Sequence, residues 1–179
     1  VPVVDRPHGD EVYALAAADP ARRFAADRLE YFSNWVTPTV MPVRFDARFY
    51  VAAADPGLEG VADAREMDAV AWVHPQTALA EGRNGGWILP LPTRRTLQQF
   101  AELGTPEAIV AFARTQQVVP PIMPRLRTSA DGALQAVLPG EPGYDDLPDE
   151  PPDPTALEGA PRVTTLEGEE IPELQRRAD

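Results

Sequence analysis

Apolar and polar side chains alternate one by one along residues 44–51, which read RFDARFYV. A period of two is typical of a strand with one buried face, so the pattern predicts a half-buried strand over residues 44–53. Its polar face carries Arg44, Asp46 and Arg48 in a row, with about 7 Å between successive side chains. A carboxylate between two guanidinium groups fixes their positions and leaves donors for an anion. The same row also fits a solvated ladder of surface charges.

The preceding run, residues 29–36, is apolar on both sides, which is typical of an interior strand. In a regular strand, Tyr31 and Trp35 share one side. Two prolines within residues 37–43 interrupt any central ladder and separate the two strands.

A third apolar run, residues 67–73, contains one charged side chain, Asp68, and predicts a buried strand. We expect it to pair with residues 44–53 as a hairpin with a long loop. Residues 87–92 are apolar but broken by prolines, which indicates a buried crossover or an edge.

Three helices are expected between residues 75 and 115. Pro75 begins the first, Thr93 caps the second, which Gly104 ends, and Thr105 caps the third.

Prolines become frequent in the last third of the chain. Residues 133–138 predict one more strand, facing residues 123–127 across a turn. From Gly140 onward prolines and acidic residues dominate, so we expect an extended arm that is either disordered or draped on the body.

The net charge of −12 is unevenly distributed over the 179 residues. Residues 141–179 hold 12 acidic residues and three arginines, so the remainder, with 16 acidic residues against 13 arginines, carries −3. This balance argues against a nucleic-acid-binding surface, which needs a basic stripe.

Length and composition predict one domain with a tail. The absence of cysteine excludes disulfides and thiolate metal sites, and no apolar run approaches the ~20 residues of a bilayer span. We therefore expect no membrane partner and a cytoplasmic location. The start at Val1, without an initiator methionine, suggests a processed product or a piece of a longer protein.

Two motifs stand out in sequence order: Trp35-Val36-Thr37-Pro38, and then R-F-D-A-R-F over residues 44–49. Weaker matches follow through to residue 140. Together they resemble the distal half of Nudix hydrolases, in the branch of the peroxisomal coenzyme A diphosphatase and its bacterial relatives. The resemblance implies an α/β fold with a Nudix-type mixed sheet flanked by helices, incomplete at its N-terminal side. It divides the chain into residues 1–128, the distal part of the domain, and residues 129–179, a hairpin and the proline-rich acidic arm.

The Nudix box, a helix whose glutamates converge on Mg²⁺, is absent from this chain. Its nearest counterpart, Arg65-Glu66-Met67, has Ala69 and Val70 where paired glutamates belong. The resemblance then leaves three readings: a fragment, a subunit whose box comes from another polypeptide, or a relative that has lost catalysis. In the first two, Mg²⁺ is a cofactor held from outside this chain, and no metal ligand is assigned within it.

The function implied is the substrate-side portion of a hydrolase that cleaves a nucleoside-diphosphate-linked compound, such as a coenzyme A-like or nucleotide-sugar-like molecule. The alternative is a non-catalytic protein-interaction or structural subunit of a larger assembly. The chain alone is expected to be inactive.

The resemblance assigns roles to six residues. Arg44 and Arg48 bind the diphosphate, Asp46 orients them, Trp35 or Tyr50 stacks on a base or a pantetheine, and Glu66 is an auxiliary catalytic base. Simpler readings compete with these roles, because the charged row also fits a surface ladder, Trp35 a core tryptophan and Glu66 a solvated loop acid. Separately, Arg94-Arg95 at a helix start is a weaker candidate for an anion site.

Overall fold

The computed structural model describes residues 14, 17–19, 21, 25–39, 41, 43–60, 62, 69–130, 132–148, 163–165, 168 and 170–171. These residues form two three-stranded sheets and three α-helices. The expected mixed α/β class is confirmed.

The first sheet has the order β2-β1-β3, with β1 (Glu30–Val36) in the centre. The strand β2 (Asp46–Val51) pairs antiparallel with β1, and the short β3 (Pro121–Ile122) pairs parallel with it. A short 3₁₀ helix, Ala26–Arg28, leads into β1. The interior position predicted for residues 29–36 is therefore confirmed.

The alternation in β2 is confirmed residue by residue. Asp46, Arg48 and Tyr50 are exposed, whereas Ala47 and Phe49 are half-buried. The strand begins two residues later than expected, so Arg44 lies outside it.

The register of β1 shifts between Tyr31 and Ser33, as in a β-bulge. Tyr31 pairs with Tyr50 and Trp35 pairs with Ala47. Since Tyr50 and Ala47 point to opposite faces of β2, Tyr31 and Trp35 lie on opposite faces too. The prediction that both lie on one side is wrong, because the extra residue of the bulge shifts the alternation of the strand by one position.

The buried strand predicted over residues 67–73 is wrong for its described part, residues 69–73. This segment is not a strand, and Trp72 is 68% exposed. The segment packs against the loop after β2: the Trp72 Nε1–H donates to the Leu58 carbonyl at 3.0 Å, and Val70 lies against the backbone of Gly60. That contact replaces pairing with β2. Met67 and Asp68 lie outside the described residues.

The three helices are α1 (Pro75–Arg83), α2 (Leu91–Leu103) and α3 (Pro106–Thr115). The predicted starts of α1 and α3 are confirmed. His74 Nδ1 accepts the Gln76 amide at 3.3 Å, and Thr105 Oγ1 accepts the Ala108 amide at 3.1 Å.

The cap predicted for α2 at Thr93 is wrong by three residues: the cap is Pro90, because Pro92 is accommodated in the first helical turn, where its missing amide is not needed. Gly104 ends α2 as expected, with a φ of +83° that suits glycine. The segment before α2, predicted as a buried crossover or an edge, is neither: residues 87–90 form no strand, and Ile88 is 68% exposed.

The second sheet contains β4 (Arg125–Thr128), β5 (Leu134–Val137) and β6 (Val163–Thr165). The predicted hairpin is confirmed as the antiparallel pair β4–β5. The third strand, β6, was not predicted. It pairs parallel with β5, and all three of its residues are buried.

The core lies between the Trp35 face of the first sheet, the start of α2 and the second sheet. It is formed by buried side chains from all three: Trp35, Leu91, Leu126, Leu134, Ala136, Val163 and Ile171. The opposite face of the β1–β2 pair carries the exposed side chains of β2.

Candidate functional site

The exposed side of the β1–β2 pair, called the open face below, consists of Tyr31 and Asn34 from β1 and Asp46, Arg48 and Tyr50 from β2. Antiparallel pairing sets Arg48 opposite Asn34 and Tyr50 opposite Tyr31. Three of the residues predicted as site residues, Asp46, Arg48 and Tyr50, are therefore on one surface.

Two tyrosines form an aromatic platform on the open face. The rings of Tyr31 and Tyr50 are stacked, with centroids 5.2 Å apart and an interplanar angle of 27°. Tyr50 is 51% exposed, so part of its ring remains available for a further aromatic group. Sequence reasoning missed Tyr31, because regular alternation assigned it to the side of Trp35.

Arg48 and Asp46 form a loose ion pair beside this platform. Arg48 Nη2 and Asp46 Oδ2 are 4.0 Å apart, and the side chains are 62% and 55% exposed. An exposed pair at this distance contributes little to stability. The guanidinium therefore keeps hydrogen-bond donors that can reach an anion.

Arg44 does not extend this row. It precedes β2, and its Nε donates to the Thr37 carbonyl at 3.1 Å. Thr37 is itself held by Phe45, whose amide donates to Thr37 Oγ1 at 3.0 Å. Arg44 thus stabilises the connection between the two strands, and the predicted row of three charges contains two on the strand.

Trp35 lies on the other face of the sheet. It is 6% exposed and belongs to the core cluster, so its ring is separated from Tyr50 by the sheet itself. The structure does not bring these two candidate stacking residues together.

On the Trp35 side, an apolar groove of about 530 Å³ runs along the first sheet. Its walls include Trp35 and Phe49 from the sheet and the segment Pro90-Leu91-Pro92. Phe45 also lines it and is 67% exposed. The lining suits an apolar group and offers few partners to a phosphate.

An ion pair closes one end of the β1–β2 hairpin. The Arg28 guanidinium donates two hydrogen bonds to Asp55, from Nη2 to Oδ1 at 2.8 Å and from Nη1 to Oδ2 at 3.0 Å, and one to the Ala53 carbonyl. Hydrogen bonding first, and charge attraction second, lowers the pKa of Asp55 and raises that of Arg28.

Arg94 and Arg95 are engaged within the protein. Arg94 Nη2 donates to the Leu89 and Glu170 carbonyls, at 3.3 and 3.0 Å. Arg95 pairs with Glu141 at 3.2 Å. These contacts use guanidinium donors that the weaker candidate, an anion site at the start of α2, would need.

Glu66, the predicted auxiliary base, lies outside the described residues. Among the residues that are described, no three His, Asp or Glu side chains come close enough together to hold a metal ion. The described residues therefore provide no ligand set for the Mg²⁺ that the family resemblance implies.

None of the helices in the described ranges has the length and apolar character needed to cross a bilayer. Compared with protein-family models, curated proteins and solved structures, the chain has no match.

Proposed function

We propose that this chain is the ligand-binding side of a Nudix-type hydrolase acting on a nucleoside-diphosphate-linked compound. The carboxylates that hold Mg²⁺ come, in this proposal, from another segment or from a second polypeptide. The observation that carries the proposal is the Tyr31–Tyr50 platform on the same surface as Arg48.

The spacing on β2 suits a nucleotide. Arg48 and Tyr50 are two residues apart on one strand face, so their side chains emerge about 7 Å from each other. A base stacked on Tyr50 then directs its phosphates along the strand toward Arg48. Base stacking on an aromatic side chain contributes about 1–3 kcal/mol, and a charged hydrogen bond to phosphate about 1.5–3 kcal/mol.

Asp46 has a positioning role in this arrangement. Its carboxylate lies 4.0 Å from the Arg48 guanidinium and attracts it without occupying all its donors. Because Asp46 is itself negative, a diphosphate is expected on the far side of Arg48 from Asp46, toward Tyr50.

Binding is tested by calorimetric titration of the 179-residue chain with ADP and with adenosine. Tyr50→Ala is expected to weaken both ligands, because both contain the base. Arg48→Ala is expected to weaken ADP about tenfold or more, that is by about 1.4 kcal/mol, and to leave adenosine unchanged.

Two control variants accompany this titration. Arg83→Ala removes a cation from the last turn of α1, and Phe45→Ala removes an exposed ring from the apolar groove. Neither is expected to change ADP affinity. Equal ADP affinity in wild type, Arg48→Ala and Tyr50→Ala would refute the assignment of the open face.

Catalysis is tested separately, with Mg²⁺ and ADP-ribose or coenzyme A as substrates. The chain alone is expected to bind the substrate without hydrolysing it. Addition of a polypeptide that carries a Nudix box is expected to produce turnover. Turnover by the chain alone would contradict the external source of the carboxylates. Binding without turnover in the presence of such a polypeptide would favour the second candidate, a non-catalytic binding module.

A further inference from the structure

A polar stripe runs along one side of α2. Arg95, Gln98, Gln99 and Glu102 are spaced i, i+3, i+4 and i+7, which aligns them along one side of the helix. All four line a cavity of about 290 Å³. The stripe therefore supplies the polar part of the lining of this cavity.

The lining also includes a residue with a buried hydroxyl that has no partner among the described groups. Ser33, in the central strand β1, is 6% exposed, and no described group forms a hydrogen bond with its Oγ. A buried hydroxyl left unpaired destabilises a protein, and the great majority of such groups are satisfied. Ser33 lines the same cavity, and because its Oγ has almost no accessible surface, the hydroxyl must rotate toward the cavity for a ligand there to supply the missing bond.

The lining also contains the apolar side chains of Trp35, Ile122 and Leu138, and Trp35 lies on the same face of β1 as Ser33. The cavity thus combines an apolar surface with hydroxyl and amide groups. This combination suits a molecule that has both a carbon face and several hydrogen-bonding groups.

The charges in and around the cavity disfavour an anion. Arg95 is balanced by Glu141, with 3.2 Å between Nη2 and Oε1, and its Nη1 donates to Gln98 Oε1 at 3.2 Å. Glu102 adds a further negative charge to the lining. A phosphate or a carboxylate would therefore meet two acids against one cation.

We propose that this cavity binds a neutral, polyhydroxylated small molecule about the size of one monosaccharide. Hydroxyl groups both donate and accept, so they match the Ser33 hydroxyl, the Gln98 and Gln99 amides and the Glu102 carboxylate. Ser33 and Trp35 face away from Tyr50, so this site is separate from the open face and does not rest on the function proposed for it.

The test is saturation-transfer NMR followed by calorimetric titration of the 179-residue chain with glucose, ribose, myo-inositol and, as an anionic probe, inorganic phosphate. At least one neutral compound is expected to bind saturably. Ser33→Ala and Gln99→Leu are each expected to weaken it about tenfold, the effect of losing one hydrogen bond to a buried group. Gln76→Leu, at an exposed position of α1, is the matched control and is expected to bind like wild type.

Thermal unfolding separates binding from folding. Ser33→Ala removes an unpaired buried hydroxyl, so its Tm without ligand is expected to equal or exceed that of wild type. If Ser33→Ala fails to fold, the binding affinity of Gln99→Leu for the neutral compound is the deciding measurement. Binding of no neutral compound would mean that the cavity holds water alone and would overturn the proposal. Phosphate binding lost in the same variants, or sugar binding unchanged in both, would overturn it as well.

Discussion

The two sheets of this protein differ in how far their side chains are exposed to solvent. In the first sheet, β2 exposes every second residue, and the exposed set contains Arg48 and Tyr50. In the second sheet, β6 is buried along its whole length and β5 has three buried residues out of four. In the function we propose, this difference is a division of roles: the first sheet presents a surface for ligands, while the second is mainly a part of the core. Substitutions in the two sheets should therefore separate binding from stability.

The largest expected effect is on the second sheet, through the segment that follows β6. Ile171 is fully buried in the core, and its amide donates to the Val163 carbonyl at 2.8 Å. Ile171→Ala is expected to lower the free energy of unfolding by about 2–5 kcal/mol, because it leaves a cavity. Urea unfolding measures it. Ile88→Ala, at a position 68% exposed, is the control and should change stability by less than about 0.5 kcal/mol. If the two substitutions lowered the free energy of unfolding equally, the assignment of the segment after β6 to the core would be contradicted.

A smaller effect is expected where residues 140–148 contact β4. The Tyr144 hydroxyl donates to the Met123 carbonyl at 2.9 Å, while its ring lies 4.3 Å from the Arg125 guanidinium. Tyr144→Phe keeps the ring and removes the hydrogen bond, so we expect a loss of about 0.5–1.5 kcal/mol by urea unfolding. Tyr50→Phe on the open face is the matched control and should leave stability unchanged. A loss in Tyr50→Phe as large as in Tyr144→Phe would contradict the contrast between the two sheets.

The smallest effect concerns the pH dependence of the first sheet. Arg28 lowers the pKa of Asp55 in the folded protein. The stabilisation is therefore present above the ordinary pKa of the carboxyl, 3.8, and is lost as pH falls through the lowered folded value.

Asp55→Asn should thus be slightly less stable than wild type at neutral pH, and the two should converge in acid. Urea midpoints measured from neutral pH down to about pH 2 test this. Arg28→Gln also loses the bond to the Ala53 carbonyl, which does not titrate, so its difference from wild type should shrink in acid without vanishing, and adding Asp55→Asn to it should have no further effect. A constant difference at all pH values would refute the role of the ion pair.

Local signals in the sequence predicted the parts of the fold that depend on neighbouring residues. The period of two gave the exposed and half-buried positions of β2, and Pro75 and Thr105 marked helix starts, since a cap acts within one turn. Pairing partners were harder to predict. Residues 69–73 are apolar enough for a buried strand, but composition does not reveal that Trp72 bonds to Leu58 instead.

The missed strand β6 shows the same limit more clearly. Its three residues stand in a region rich in proline and acid, too short for a periodic pattern to emerge. Only its pairing with β5, distant in sequence, makes it a strand.

The candidate site was predicted in part for a related reason. Asp46, Arg48 and Tyr50 follow from alternation within one strand. Trp35 and Tyr31 were assigned to one side because the irregularity in β1 has no mark in the sequence. Ser33 was missed entirely, since an unpaired hydroxyl is visible only when its surroundings are known.

The bulge in β1 has a consequence for how this protein can change. A single extra residue reverses the orientation of everything that follows it, so Tyr31 and Asn34 face outward while Ser33 and Trp35 face inward. Two proposed ligand surfaces can thereby share one short strand without sharing a side chain. If Phe32 instead paired within the ladder, the register would shift by one residue, and the indole would turn to water and the amide toward the interior, exchanging the contents of both surfaces in one step.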